Sequence, residues 1–342
     1  MANIVYPNEV LESTVEDILE TRLNTRTLMT VDMSLSGAAG MKKVINRYTY
    51  TGYVESLSQG EKNTQRGKLE FLPYEYEVGV AQQVWDYYDE EVMKDPGIVN
   101  LGVQGMANAM WNDMNQKFFD ELRKAEIFQT IESANKIAYD DIVDAIAALD
   151  LEDESQLYIL CGLNTKAALR KNNLFTGAKQ GEIIFTGQIG DISGLPVVYS
   201  KKVPADLAYV ATKEAVTLFT KKDSEIEQER DKEARKNTII SRKVNLVALT
   251  NAKRLCMIGK ASATPVLTQS SIAAGNNKTI SGTNAAGAVV RVYVNDIPVG
   301  YAAVDGTTWT YTIDAVSSGD KVKVSAMTDG KIPAFCAAVT VS

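Results

Sequence analysis

The sequence predicts an α+β body followed by an all-β tail, and three observations carry that expectation. Composition changes near residue 260: no glutamate follows Glu233, and residues 261–342 are rich in Ala, Val, Thr, Ser and Gly. After Asp95-Pro96 the apolar residues Val99, Val103, Met106, Met110, Met114, Phe118 and Leu122 recur at spacings of four and three, the period of one long helix. On both sides of that helix stand β-rich stretches heavy in Tyr, Val and Thr.

From the N-terminus, Leu11, Val15, Ile18, Leu19 and Leu23 give residues 9–23 an amphipathic helical pattern that needs a partner surface. The Gly-Ala-rich SGAAG at 36–40 follows. RYTYTGYVES and KLEFLPYEYEVGV, separated by the polar LSQGEKNTQRG at 57–67, then read as a long hairpin with a mobile tip. Asp95-Pro96 supplies an N-cap with proline at the first helical position. A helix of roughly 30 residues from there would be ~45 Å long, a spine rather than one layer of a compact core. A shorter helix capped by Asp140 carries Ile142, Val143, Ile146 and Leu149; LYILC at 157–161 is a buried strand, and another short helix starts near Asn164. GDISGLPVVYSKKVP, a strand near LAYVA and the charge-rich stretch 221–236 lead to NTIISRKVNLVAL, a strand of about ten residues.

The segment ASATP at 261–265 reads as a short linker into the tail. There Lys278, Arg291, Lys321, Lys323 and Lys331 are balanced by Asp296, Asp305, Asp314, Asp320 and Asp329, so the first 260 residues carry the whole net charge of −7. The runs AVVRVYV, IPVGYAAV, TWTYTI, KVKVSAM and AFCAAVTV alternate with turns at Asn295-Asp296, Asp305-Gly306 and Ser318-Gly319-Asp320. This pattern predicts an antiparallel sandwich of about seven strands. Alternation in TWTYTI puts Trp309, Tyr311 and Ile313 on one face, with Trp309 as the core anchor. VDGTTWTYTIDAVSSGDKVKVSA resembles the bacterial immunoglobulin-like repeats of surface and phage proteins. The resemblance implies an immunoglobulin-like domain over 261–342, expected here to fold independently.

Composition narrows the chemistry. The 342 residues include 36 Lys and Arg, 43 Asp and Glu, three Cys and no His. Without histidine there is no Ser-His-Asp or Cys-His triad and no His-ligated metal. The acidic balance argues against a nucleic-acid reader. Cys161, Cys256 and Cys336 stand in no metal-binding spacing and read as reduced thiols. No phosphate-cradling glycine loop, nucleophile elbow or EF-hand loop occurs. The carboxylate runs DYYDEEV at 86–92 and DLEDES at 150–155 read as solvated helix ends and loops, with nothing to raise a pKa for glycoside hydrolysis. The expectation is a protein that is not an enzyme, takes no cofactor or metal and has no membrane partner. No export signal and no run of 18 apolar residues is present, so synthesis in a cytoplasm is expected.

Two segments offer contact residues. The run KKDSEIEQERDKEARKN at 221–237 reads either as a solvated charged segment or as a strand. As a strand it sets Glu225, Glu227 and Glu229 on one side and Ile226, Gln228 and Arg230 on the other, a row of charges for a neighbouring subunit. In the hairpin, Tyr48, Tyr50, Tyr53, Tyr74 and Tyr76 suit a protein interface, and Lys62, Arg66 and Lys68 lie near the tip.

The order of N-terminal arm, long hairpin, spine helix, mixed domain and final long strand resembles the major capsid protein of tailed bacteriophages, the Hong Kong 97 fold also used by encapsulin shells. GDISGLPVVYSKKVP at 190–204 is similar to that family's apical signature, and KNTIISRKVNLVALTNAKRLCMI at 236–258 to its last peripheral strands, with Arg242 at the usual arginine position. The resemblance implies a shell domain over 1–260: an arm at 1–35, an extended loop at 41–80, a peripheral domain at 81–135 and 222–260, and an axial domain at 136–221. It further implies hexamers and pentamers closing into an icosahedral head around double-stranded DNA, a virion location, and a scaffolding protein and portal as partners. The tail would then lie on the outer surface. The alternatives are an encapsulin-type nanocompartment shell and a surface adhesin.

Overall fold

The computed structural model describes residues 25–52, 54–64, 66–132, 136–154, 156–171, 191–192 and 194–342, with backbone alone at 47–49, 51, 70, 72, 191 and 224. The amphipathic segment 9–23 and Tyr53 lie outside the described residues. A short 3-10 turn at Thr25–Leu28 leads to β1 (Thr30–Asp32), and β2 (Lys42–Thr51) pairs with β3 (Lys68–Glu77) as a hairpin. β4 (Gly79–Tyr88), α1 (Asp89–Lys94), α2 (Ile98–Leu122), β5 (Ile127–Ile131), α3 (Tyr139–Ala148), β6 (Leu157–Cys161) and α4 (Leu163–Lys171) follow. After them come β7 (Asp191–Ile192), β8 (Leu195–Tyr199), β9 (Ala208–Thr212), β10 (Val216–Asp231), β11 (Lys236–Leu249) and β12 (Leu255–Lys260). The tail holds β13 (Val266–Leu267), β14 (Gly275–Thr283), β15 (Val289–Val294), β16 (Ile297–Tyr301), β17 (Ala303–Asp305), β18 (Thr308–Val316), β19 (Lys321–Met327), β20 (Ala334–Phe335) and β21 (Val339–Thr340).

The chain divides into two units. The first takes the described residues up to Glu121 and Val216–Thr250. Its sheet has the order β1-β10-β11-β4, and α2 lies across one face. Trp85, Tyr87 and Ile239 of the sheet meet Val99, Val103 and Met106 of the helix. The helix starts where Asp95 caps it, with the Gly97 N–H donating to Asp95 Oδ1 at 2.9 Å. Its 25 residues end at Leu122, short of the length expected, and its C-terminal half is the better buried, Phe118 and Leu122 completely so. Buried Glu121 accepts the Leu249 N–H at 3.1 Å, tying the helix end to the end of β11. A second small core of Leu35, Val78, Phe219, Val244 and Leu246 seats the base of the hairpin through Ile45 and Tyr76.

The second unit takes Leu122–Ala215 and Asn251–Ser342. Its six-stranded sheet has the order β5-β12-β9-β6-β8-β7. One face, with Ile159, Cys161, Ala208, Val210, Cys256 and Ile258, packs on α3 and α4 through Ile142, Ile146 and Leu169. Three sequence expectations need correcting here. The N-cap of α3 is Ala138, whose N–H donates to the carboxylate of Asp141 in the first turn at 2.7 Å, while Asp140 also sits inside the first turn and Val143 is exposed. β12, expected with β10 and β11 in one domain over 81–135 and 222–260, pairs with β5 and β9, because the 3-10 turn at Ala252–Arg254 redirects the chain; residues 122–132 and 251–260 therefore fall in the second unit, with the six-stranded sheet. ASATP is no free linker: Ala261 bridges to Ile332 and Ser262 is buried.

The tail strands form two antiparallel sheets, β13-β14-β18-β17 and β16-β15-β19-β20 with β21 beside β19. Trp309 is buried at the centre with Ile280, Ile313, Val290, Val292, Val322 and Val324. IPVGYAAV breaks at Ala302 into β16 and β17, one in each sheet, and the polar strand β14 had no period-2 signal.

Two glycines of α2 give opposite expectations. A Cβ at Gly102 would lie 2.4 Å from the Trp85 ring, whereas one at Gly105 meets nothing within 4 Å. Gly102→Val is expected to destabilise the subunit by about 1–3 kcal/mol through overpacking. Gly105→Ala is expected to stabilise it by up to ~1 kcal/mol through helix propensity. Urea unfolding midpoints of the two variants check the pair.

Candidate subunit-contact surfaces

β11 is paired along both edges, so its register decides what each face of the first sheet carries. Toward α2 it presents the rows Ile226–Ser241–Gln83, Gln228–Ile239–Trp85 and Arg230–Asn237–Tyr87. On the opposite face it sets Glu225–Arg242–Gln82, Glu227–Ile240–Val84 and Glu229–Thr238–Asp86. The strand reading of 221–237 therefore holds for β10 up to Asp231, and the three glutamates do share one face. Glu227, Glu229 and Arg242 are exposed and Glu225 is half-buried beside Lys222, whose Nζ lies 2.5 Å from its Oε1. Between the glutamates and the edge, Val80, Val84 and Tyr88 are also exposed.

This charged face is pinned at one end. Asp86 accepts from Thr238 Oγ1 at 2.7 Å and pairs with Lys236 at 2.6 Å. The hydrogen bonds from Lys236 and Thr238 hold the Asp86 carboxyl below its ordinary value, and Asp86 in turn raises the Lys236 ammonium. On the helix side, Asp89 takes Arg230 and Asn237, each at 2.7 Å, and so fixes the start of α1. Register shifts between Thr220 and Glu225 mark a bulge. There Lys221 donates to the carbonyls of Ala38 and Gly40, in the turn before the hairpin. Sequence reasoning missed Lys221, Asp89 and Glu121, because each acts on a partner remote in the chain.

The hairpin exposes one whole face. Val44, Tyr50, Leu69 and Phe71 lie on it, Phe71 at 62% and Tyr50 at 64% exposure. Tyr48 pairs with Phe71 in the register, its side chain being outside the described part. The Tyr50 ring lies over Gly52 and Gly67, where an added Cβ would come within 2.7 and 2.2 Å of its hydroxyl. Beyond them the tip closes on itself: Glu55 accepts from Thr64 N–H at 2.9 Å and Glu61 from Ser58 N–H at 2.9 Å. Lys62 and Arg66 stand exposed on this tip and Lys68 at the start of β3. The hairpin cations stand on the two-stranded β2–β3 sheet and the glutamates on β10 of the four-stranded one. Trp309, the remaining candidate, lies in the tail core.

No group of three or more Cys, Asp or Glu placed to hold a metal ion occurs among the described residues. No helix among them is long and apolar enough to cross a membrane.

The chain belongs to the phage capsid protein family, whose sequence pattern matches residues 74–258, just over half of its length. It is thus a structural component of a virion. Over 268 residues it is 25% identical to the major capsid protein of Staphylococcus phage phiMR11, covering 76% of this chain and 95% of that one. Solved structures share the fold. The mature capsid of bacteriophage PhiM1 aligns with a TM-score of 0.55 at 12% identity, over 70% of this chain and 87% of that one. A structure from Mycobacterium phage Che8 aligns with a TM-score of 0.54 at 14% identity, over 67% and 88%.

The Asp86–Lys236–Thr238 cluster gives a pH test. Because the folded state lowers the Asp86 pKa from its ordinary 3.8, its contribution is present above that value and is lost as pH falls through the lowered one. Asp86→Asn is expected to lower the unfolding temperature of the subunit near neutral pH. The difference from the parent protein should shrink below about pH 4 and vanish once the Asp86 carboxyl is protonated in the folded as well as the unfolded state. Thermal melts across pH 7 to about pH 2 check this.

Proposed function

We propose that many copies of this chain assemble, as hexamers and pentamers of a Hong Kong 97-type subunit, into an icosahedral head that encloses double-stranded DNA. The observation that carries the reading is the hairpin β2–β3, which leaves Val44, Tyr50, Leu69 and Phe71 uncovered in a single copy. An isolated two-stranded hairpin is marginal in water, and a broad apolar face on it calls for a protein partner. A neighbouring copy offers one: the outer face of β4, β11 and β10, with Val84 and Ile240 beside Glu227 and Glu229, is apolar and acidic where the hairpin is apolar and, at Lys62, Arg66 and Lys68, basic. The hairpin of one subunit lies over that face of the next, and Arg242 sits within the contact. The lock is non-covalent. DNA is contained without sequence-specific contacts, and a scaffolding protein and portal take part in assembly. The tail acts as an immunoglobulin-like domain on the outer surface that reinforces neighbouring subunits.

Expressed with a scaffolding protein where one is needed, the chain is expected to form shells or capsomers, visible by gel filtration and electron microscopy; a monomer under all such conditions would refute the reading. Replacing Glu225, Glu227 and Glu229 together by Lys should abolish assembly while leaving the far-ultraviolet circular dichroism of the subunit intact. Adding Glu at 62, 66 and 68 should restore it. Removing residues 58–66 should weaken particles to heat more than it weakens the folded subunit, measured by calorimetry on both.

A further inference from the structure

The six-stranded sheet of the second unit buries both faces, and α3 and α4 account for only one of them. On the other face the register sets Phe128, Met257, Tyr209 and Leu160 in one row across β5, β12, β9 and β6. Met257 and Leu160 are completely buried and Tyr209 nearly so.

The tail reaches this row at several points. Phe335 of β20 packs on Phe128 with ring centroids 6.0 Å apart. Arg123, at the end of α2, pairs with Asp329 of the tail at 2.9 Å, and both charges act on the Tyr209 phenol, whose pKa burial raises. A crevice of about 280 Å³ is lined from the sheet side by Leu207 and Met257 and from the tail side by Val289 and Met327. Ile332 is fully buried against Leu207 across Gly259, where a Cβ would stand 2.4 Å from the Leu207 side chain and 3.2 Å from that of Ile332.

The junction itself is bridged, Ala261 to Ile332. Ile332 N–H donates to Lys260 O and Ser262 N–H to Ile332 O, each at 2.9 Å, and Ser262 Oγ accepts the Thr328 N–H at 3.0 Å. From Phe335 a ladder of rings and cations continues into the tail: Lys323 stands over Phe335 and Tyr293, and Arg291 over Tyr293 and Tyr301. A tail on a flexible tether would show neither the bridge at Ala261–Ile332 nor buried residues shared between the two parts.

We propose that the tail is the fixed cover of the second face of the six-stranded sheet, and that sheet and tail unfold as one cooperative body. Their junction at 260–262 is then a clamp and not a hinge. The proposal stands against the expectation of an independently folding module and does not depend on the shell reading.

Hydrogen exchange on the unassembled full-length subunit tests it. Ile280 lies in the tail core among Trp309, Val290 and Val324 and belongs to no core of the six-stranded sheet. Ile280→Ala is expected to speed exchange in β14 and β18 by about tenfold or more, as a buried large-to-small change does. If the body is cooperative, amides of β9 and β12 speed up by the same factor. Protection in β9 and β12 that stays at the parent level while the tail strands open would overturn the proposal, and so it would if the variant left the tail fully unfolded beside an unchanged sheet.

Discussion

The double-sided pairing of β11 is the constraint on which the first unit depends. Lys236–Asn245 pairs with β4 on one edge while the whole of Lys236–Leu249 pairs with β10 on the other. With β11 in place, a slip of one residue by β4 would turn Trp85 out from under α2, and a slip by β10 would bring Glu227 and Glu229 to the helix side. Burial under the helix therefore selects the register, and the register alone places three glutamates and Arg242 on the open face. The charged surface is a by-product of the core, fixed without any contact between the glutamates themselves.

The bulge between Thr220 and Glu225 separates two regimes in a single strand. Before it, Leu218 and Phe219 belong to buried structure; after it, the strand is exposed along most of its length. A continuous ladder would force one alternation on both halves. The irregularity releases that coupling and aims Lys221 at two backbone carbonyls in the turn that leads into the hairpin. Hairpin and charged face are thereby held by neighbouring stretches of the same strand.

Elements with a strong period were legible in the sequence: LYILC as β6, the spine as α2, the hairpin around a polar tip, and Trp309 as a core anchor. What failed to show was pairing over distance. β14 is written with Gly275, Asn276, Asn277 and Gly282, and only its partner β18 makes it a strand. The destination of β12 depends on the turn at Asn251, whose Oδ1 accepts the Lys253 N–H, a local bond with no apolar signature. The covering of the sheet by the tail was hidden for a further reason. The tail's small composition shift is real, but Ile332 and Phe335 look in the sequence like any other strand residues. Of the contact candidates, the three glutamates on one face follow from period 2, whereas Lys221 and Asp89 are set by partners more than a hundred residues away.

The absence of imidazole has a consequence for the particle as a colloid. Thiols are the side chains whose ordinary pKa then stands nearest neutrality, and burial pushes Cys161 up to about 11, Cys256 up to about 12 and Cys336 upward as well. The Asp86–Lys236 pair is spread in both directions, the acid lower and the base higher. No side-chain type remains to take up or release protons between the carboxylates and the thiols. A pH switch built on imidazole between neighbouring copies is therefore closed to this chain.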